Sequence, residues 1–375
     1  MIISIRVKVI SVVLAVIFVF AGAFNAFAGT QKAYSEKSAL AVSKTSISAA
    51  QAVPTLFKSK DFKVKAEKIT DKSAVLSWNT NKNYVGYKVC RFNILTEKWD
   101  EIRQTTKNSY EAKDLTAASE YRFCILNCVT DEILGAVVFK TAAKTPELKI
   151  KERTSKRIVL SLGKHDKNET VVIYRKTGAK DYKQIAKVKG KSTYTDKKVK
   201  GNTSYTYKAK TITKNGKVKS ESAFSSSVKT NTLISMDLPS VRGKTKTFAY
   251  YTAVTLKSSP QYKLLRSDKC TTDKKTGIRM YEGCYCVALG SYYGTKIGTK
   301  YRITFSSGNS INVVLCDQKA NRHTDSKHQY AVNNKDIVEF YVQGSMIPKA
   351  IRGRGDYGRL SQFSGSVTSI EKYMD

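Results

Sequence analysis

The chain has 375 residues, 26% of them charged, and a formal net charge of +36. Because one hydrophobic core rarely serves more than ~250–300 residues, this length excludes a one-core protein and predicts two or three domains. The seven cysteines cannot all pair within the chain, which excludes a fully closed disulfide framework.

The first 28 residues have the pattern of a secretory signal peptide. Arg6 and Lys8 precede an apolar run over 9–24, and the small-residue sequence Ala26-Phe27-Ala28 follows as a cleavage site. The run holds 16 residues, fewer than the ~20 that a membrane-spanning helix needs. We therefore predict cleavage after Ala28 rather than retention as an anchor, and a secreted chain without a later membrane span.

The next segment, residues 29–58, is rich in Ala, Ser, Thr and Lys without periodicity, which indicates a flexible linker. From Asp61 onward the sequence changes to short β-rich segments separated by polar turns, as at 74–78, 86–91 and 120–125. Alternating segments at this spacing are typical of a β-sandwich.

The sequence then repeats itself at an offset of 84 residues. Trp78 aligns with Leu162 and Tyr121 with Tyr205, and the segments "SYEAKDLTAASEYRF" and "TYTDKKVKGNTSYTY" align without a gap. Because self-similarity at a fixed period marks repeated structural units, we predict two consecutive sandwiches, over 59–143 and 144–232.

Both copies resemble the fibronectin type III family. The first has the inward Trp78 on its second strand and Leu115 six residues before Tyr121, and the second keeps the corner with Val199 and Tyr205. The resemblance implies seven-stranded immunoglobulin-like sandwiches in which these residues belong to the core. It also implies modules that act as spacers or adhesion units, without catalysis.

The last segment, 233–375, predicts a third, independent body made of strands. Six strand candidates precede or follow glycine-rich turns, and the turn over 306–309 joins the third to the fourth; they are 247–256, 285–289, 300–305, 311–315, 337–342 and 366–372. With few helix signals, this segment predicts a small β-barrel. The fold class expected for the whole chain is therefore all-β.

This segment resembles the double-psi β-barrel domains of secreted bacterial cell-wall proteins, especially the three-Asp type. The resemblance rests on "IGTKYRITFSSGNSINVVLCDQKANRHTD" followed by "DIVEFYV". It implies cleavage of wall glycans, with Asp317 and Glu339 as candidate catalytic acids and Asp325 as a third. A carboxyl group with a raised pKa could protonate the glycosidic oxygen. The family's "DTGG" continuation is absent, and Glu339 stands where the family has Asp.

Three tyrosines, Tyr292, Tyr293 and Tyr301, are candidates for ligand binding, because sugar rings stack on exposed aromatic faces. Burial in the barrel core is the alternative for all three. We predict no metal and no cofactor, since no cysteine and histidine cluster has zinc-site spacing. A transition-metal site at His323, Asp325 and His328 is the alternative.

The second copy is the most basic part of the chain. Residues 145–232 hold 23 Lys/Arg against 7 Asp/Glu, compared with 15 against 11 over 60–144 and 22 against 11 over 233–375. Such a field attracts polyanions, although exposed lysines also keep strands soluble without any ligand.

The sequence thus predicts a secreted, noncatalytic, monomeric bacterial protein of the cell surface. The expected partner is a cell-wall polysaccharide or teichoic acid. A peptidoglycan-cleaving enzyme, either a glycosidase or a lytic transglycosylase, is the alternative function. Binding of extracellular nucleic acid is a third hypothesis.

Overall fold

The computed structural model describes residues 62–374, except 81, 216 and 217. The predicted signal peptide and linker lie outside the described residues. Within them the chain is all-β, as the sequence predicts, with only two short α-helices, α1 (Pro260–Leu265) and α2 (Lys349–Arg352). No helix in the described ranges has the length and apolar character needed to cross a membrane.

The chain divides into two compact units, with the boundary between Ala143 and Lys144. The first unit is a sandwich of two antiparallel sheets, with strand orders β1-β2-β5 and β4-β3-β6-β7. Its strands are β1 (Val64–Glu67), β2 (Ala74–Trp78), β3 (Tyr87–Asn93), β4 (Lys98–Thr105), β5 (Ser109–Ala112), β6 (Glu120–Asn127) and β7 (Ile133–Lys140). The alternating inward residues of both sheets, including Leu76, Val89 and Phe123, form one core.

The second unit begins with a sandwich of the same strand order. One sheet has the order β12-β9-β8, and in the other β11-β10-β13 continues to β14, while β15 also pairs with β13. The strands are β8 (Lys149–Arg153), β9 (Ile158–Ser161), β10 (Glu169–Thr177), β11 (Lys183–Lys189), β12 (Thr193–Asp196), β13 (Ser204–Asn215), β14 (Val218–Glu221) and β15 (Val228–Asn231). The seventh strand of the first sandwich is thus replaced by two short ones.

Trp78 and Leu162 occupy equivalent positions in the two sandwiches. Trp78 is the last residue of β2 and Leu162 comes directly after β9, and both lie in the core, with 4% and 0% of the residue exposed. The backbone N–H of Trp78 donates to the carbonyl of Asn108 at 3.0 Å, and that of Leu162 donates to Ser192 at 2.9 Å. The 84-residue repeat therefore holds in space as well as in sequence.

The remainder of the second unit is built on a nine-stranded sheet with the order β16-β24-β21-β22-β20-β19-β18, in which β23 pairs with both β20 and β17. Two strand pairs are parallel, β20 with β22 and β17 with β23. The strands are β16 (Ile234–Met236), β17 (Phe248–Tyr250), β18 (Cys270–Thr272), β19 (Arg279–Tyr281), β20 (Cys284–Leu289), β21 (Lys300–Phe305), β22 (Ser310–Gln318), β23 (Glu339–Val342) and β24 (Val367–Lys372). The predicted hairpin is present, because β21 and β22 pair directly on either side of Gly308, whose φ of +87° suits glycine.

This sheet buries side chains on both faces. The larger cluster lies on one face and includes Val287, Leu315 and Phe340. The smaller cluster, on the other face, contains Cys286, Ala288, Cys316 and Tyr341, and Leu265 of α1 packs onto it.

The sandwich and the nine-stranded sheet of the second unit have separate cores joined by polar contacts. Arg302 pairs with Glu152 at 2.9 Å, and the guanidinium of Arg153 lies 5.2 Å from the ring centre of Tyr373. The buried Glu371 accepts hydrogen bonds from Ser155. A body that begins at residue 233 and folds independently stays a prediction.

Candidate functional site

The outer face of one sheet in the second sandwich carries many lysines. Cross-strand partners in a sheet share a face, and Val171, Ile173 and Tyr207 point into the core. The register therefore places eight lysines on the opposite face, here called the lysine face. They are Lys176, Lys187, Lys189, Lys208, Lys210, Lys214, Lys219 and Lys229.

Glu221 is the acid that opposes this charge. Its carboxylate accepts hydrogen bonds from Lys210 and Lys219, and these bonds lower its pKa to about 2 against the opposing effect of burial. The other six lysines make no ion pair with a carboxylate in the described part of the chain. Four of them, Lys187, Lys189, Lys214 and Lys229, are exposed. The lysine face thus keeps a net positive field toward solvent.

Aromatic rings lie between the lysines. The Lys208 ammonium is 3.8 Å from the ring centre of Phe224 and 4.3 Å from that of Tyr182, and Lys176 is 5.1 Å from Tyr182. Phe224 is 43% exposed and packs edge-on against Tyr174. Cation–π contacts of this kind hold flexible lysine chains near the surface.

A second candidate site surrounds Asp317 and Glu339, on the face of the smaller cluster. Ala288 is the register partner of both residues, with Asp317 on one neighbouring strand and Glu339 on the other. The β20–β22 register shifts at this point, because Val287 pairs with Leu315 and Ala288 with Asp317. A β-bulge redirects a side chain, and here it turns Asp317 away from the larger cluster and onto the face of Ala288.

Each of the two acids has its own partners. Tyr341 donates its hydroxyl proton to Asp317 Oδ2, while the Gln318 backbone N–H donates to Oδ1 at 2.9 Å. Burial, and next the charge of Asp317, raise the pKa of Tyr341 well above its usual value, so the hydroxyl stays a donor. Glu339 Oε2 lies 3.5 Å from the Lys319 ammonium, and 28% of the Glu339 side chain is exposed.

Behind Glu339 lies a buried ion pair. The ammonium of Lys319 is 2.9 Å from Asp336 Oδ1, and the two side chains are 5% and 0% exposed. The Thr247 hydroxyl donates to the other carboxylate oxygen of Asp336. Lys319 thus holds Asp336 and Glu339 together.

The third predicted acid, Asp325, belongs to a different environment. Its carboxylate accepts backbone hydrogen bonds from Lys327, Gln329 and Tyr330, which organise the loop after β22. Burial alone would raise the pKa of Asp325, but these donors outweigh it and lower the value. Such a carboxyl group stays ionised, and its hydrogen bonds stabilise the conformation of the loop.

The three candidate tyrosines also differ in their exposure to solvent. Tyr301 and Tyr293 are buried in the larger cluster, and the Tyr301 hydroxyl donates to the Tyr293 carbonyl at 2.7 Å. They offer no ring face to a ligand. Tyr292 is 37% exposed, so stacking on a sugar stays a prediction for this ring.

The histidines of the alternative metal site make other contacts. His323 Nε2 lies 3.2 Å from Arg322 Nε, and His328 Nδ1 lies 2.9 Å from the Thr324 hydroxyl. Within the described ranges, no group of three His, Cys, Asp or Glu side chains is placed to hold a metal ion.

The lysine face and the partners of Asp317 were not identified from the sequence. The alternation in "YKAKTITK", where Tyr207 and Ala209 are buried and Lys208 and Lys210 face outward, was the available signal. Tyr341 is distant from Asp317 in sequence and carries no comparable signal.

No family model and no curated protein matches the chain. Among solved structures, it is similar to a two fibronectin type III domain segment from chicken tenascin, at 15% identity and a TM-score of 0.33, covering 45% of this chain and 98% of that one. The two sandwiches share three features: three strands in one sheet, four strand positions in the other, and a tyrosine at the same corner. The two sandwiches are fibronectin type III-like.

Proposed function

We propose that this chain is a secreted, noncatalytic, modular protein of the bacterial cell surface that binds anionic wall polymers. The lysine face is the observation that carries the proposal. Six of its eight lysines are free of carboxylate partners in the described ranges, and four of those six are exposed. A phosphodiester polymer such as wall teichoic acid supplies the repeated negative charge that this surface would attract.

The chemistry of lysine suits a repeating polymer better than a single shaped ligand. An ammonium on a flexible stem acts as a point charge, without the planar fork by which arginine recognises one anion. Binding would gain free energy mainly from release of counterions, so its strength should fall steeply with salt. The rings of Tyr182 and Phe224 would exclude water beside Lys208.

Co-sedimentation with purified cell walls tests this proposal. The mature chain should sediment with walls that carry teichoic acid and remain in solution when the polymer has been chemically removed. A variant with Lys187, Lys189, Lys214 and Lys229 changed to Gln should lose most of this binding. The matched control changes four exposed lysines of the nine-stranded region: Lys257, Lys274, Lys275 and Lys327. Equal loss in both variants would reject the lysine face as the binding surface.

We further propose that residues 233–375 form a double-psi type β-barrel. The two parallel strand pairs, β20 with β22 and β17 with β23, support this finer assignment. The sandwiches would then space this body from the wall or hold it against the wall.

A second candidate function, cleavage of peptidoglycan glycan strands, is favoured by one observation. The bulge at Cys316 turns Asp317 onto the face of Ala288, whose other neighbour is Glu339. Two carboxylates on one face, separated by a small side chain, leave room for a sugar. Clearing of a peptidoglycan suspension should then be lost on Asp317→Asn or Glu339→Gln and retained on Asp268→Asn, an exposed control.

A further inference from the structure

Two cysteines of the first sandwich face each other across neighbouring strands. Cys90 on β3 is the direct register partner of Cys124 on β6. Directly opposed residues of antiparallel strands have Cα atoms about 4.5–5.5 Å apart, which lies within the ~4.4–6.8 Å that a disulfide spans. The backbone geometry therefore suits a bond between these two residues without rearrangement.

Their side chains also point to the same side of the sheet. Val89, Phe123 and Ile125 face the core of the sandwich, so alternation places Cys90 and Cys124 on the opposite face. Both residues are nevertheless buried, at 5% and 1% exposure. The sulfur atoms are thus adjacent and shielded from solvent.

We propose that Cys90 and Cys124 are oxidised to a cross-strand disulfide in the secreted protein. The oxidant is the disulfide of an extracytoplasmic thiol–disulfide oxidoreductase. The thiolate of one cysteine of the pair attacks a sulfur of this disulfide and forms a mixed disulfide, and the other cysteine then attacks the sulfur of the first and displaces the thiolate of the oxidoreductase. The chain loses its two thiol hydrogens, one S–S bond forms, and the oxidoreductase leaves as a dithiol. The inference rests on the proposed secretion, because reducing compartments keep such pairs as thiols.

None of the other five cysteines is the direct cross-strand partner of another cysteine. Cys270 and Cys284 both have Tyr281 as register partner, and Cys286 has Val314. Cys270, Cys286 and Cys316 lie in the smaller cluster, but none of these three residues opposes another across a strand pair. We therefore expect one disulfide and five thiols per chain.

Peptide mapping after alkylation under denaturing, nonreducing conditions tests the proposal. The full chain, exported by a bacterial host, should give one linked pair of peptides that contains Cys90 and Cys124 and is two hydrogens lighter than the reduced pair. Five alkylated cysteines should accompany it. Cys128→Ser, the matched control in the same sandwich, should keep the linked pair, whereas Cys90→Ser should abolish it.

A second experiment tests the geometry of the cysteine pair separately from the redox compartment of the chain. Purified reduced protein, incubated with oxidised glutathione, should form the same pair, and its midpoint of urea unfolding should rise relative to reduced protein. Cys90→Ser should show no such rise. Seven alkylated cysteines in both arms, or a link between other cysteines, would overturn the proposal. The proposal would also be overturned if the exported chain had seven thiols, even if oxidised glutathione formed the bond in the purified protein. Wall binding by the lysine face is measured independently of either result.

Discussion

Ser155 donates two hydrogen bonds to Oε1 of Glu371, one from its backbone N–H at 2.6 Å and one from its hydroxyl at 2.5 Å. Ser155 lies in the turn between β8 and β9, and Glu371 lies on the last strand. Both residues are buried. This contact fixes the second sandwich to the nine-stranded sheet.

Replacing Glu371 with Ala should therefore destabilise the second unit. Loss of hydrogen bonds to a charged group, with a buried N–H left unpaired, costs about 2–4 kcal/mol. Urea unfolding followed by fluorescence measures the change. Glu282→Ala is the control, because its ion pairs with Lys269 and Lys300 are exposed and solvent screens them. Equal losses in the two variants would show that the buried contact has no special role.

Tyr121 and Tyr205 should contribute equally to their sandwiches. The hydroxyl of Tyr121 accepts from the Thr116 N–H at 2.7 Å, and that of Tyr205 accepts from the Lys200 N–H at 2.9 Å. Tyr→Phe at either position removes one hydrogen bond and should cost about 1 kcal/mol. The two variants, compared by urea unfolding, should differ from each other by less than either differs from the parent.

The buried pair of Lys319 and Asp336 should be intolerant of losing one partner. Lys319→Met leaves a buried carboxylate and should cost about 3–5 kcal/mol, whereas removal of both charges is often neutral. A double-mutant cycle with Asp336→Leu measures the coupling. Additive losses would contradict an interaction between the two side chains.

Lys246 should make the free energy of unfolding depend on pH in the alkaline range. Its ammonium is buried and donates to the carbonyls of Gly243, Lys244 and Gly365 at 3.1, 2.8 and 2.6 Å. Burial lowers its pKa to about 8, against a weaker opposite effect of Asp356. Because the folded pKa is below the usual lysine value of 10.5, the unfolded chain binds more protons between these values. The contribution of Lys246 to stability therefore rises with pH in this window.

The measurement compares urea unfolding of the parent and of Lys246→Met at intervals from pH 7 to pH 10. The difference in free energy of unfolding between them should grow in favour of the parent. A constant difference across that range would contradict the lowered pKa. Tyrosine ionisation affects both proteins alike, so it cancels in the comparison.

Much of the fold could be predicted from the sequence because its cores repeat. The 84-residue offset located Trp78, Leu162 and both corner tyrosines, since inward positions must recur when strand order recurs. In the last segment, strands of four or more residues were found from alternation. β16, β18 and β19 have three residues each, which is too few for an alternating pattern to be recognised in the sequence. β17 is shorter than predicted because the chain turns into a 3-10 helix at Tyr251.

The candidate sites depend on register, which composition does not encode. The count of lysines predicted a basic module, but only the pairing of β10, β11, β13, β14 and β15 places eight of them on one face. Regular alternation would put Asp317 on the face of Leu315, in the larger cluster. The bulge at Cys316 reverses this, and a single extra residue leaves no mark in an apolar run.

Salt titration of binding tests the central claim most directly. The affinity of the mature chain for purified wall teichoic acid should fall linearly on a log–log plot against salt concentration. Changing Lys187, Lys189, Lys214 and Lys229 to Gln should weaken binding and reduce the slope by about one per lysine in contact with the polymer. An unchanged affinity and slope in this variant would contradict the assignment of the lysine face as the binding surface.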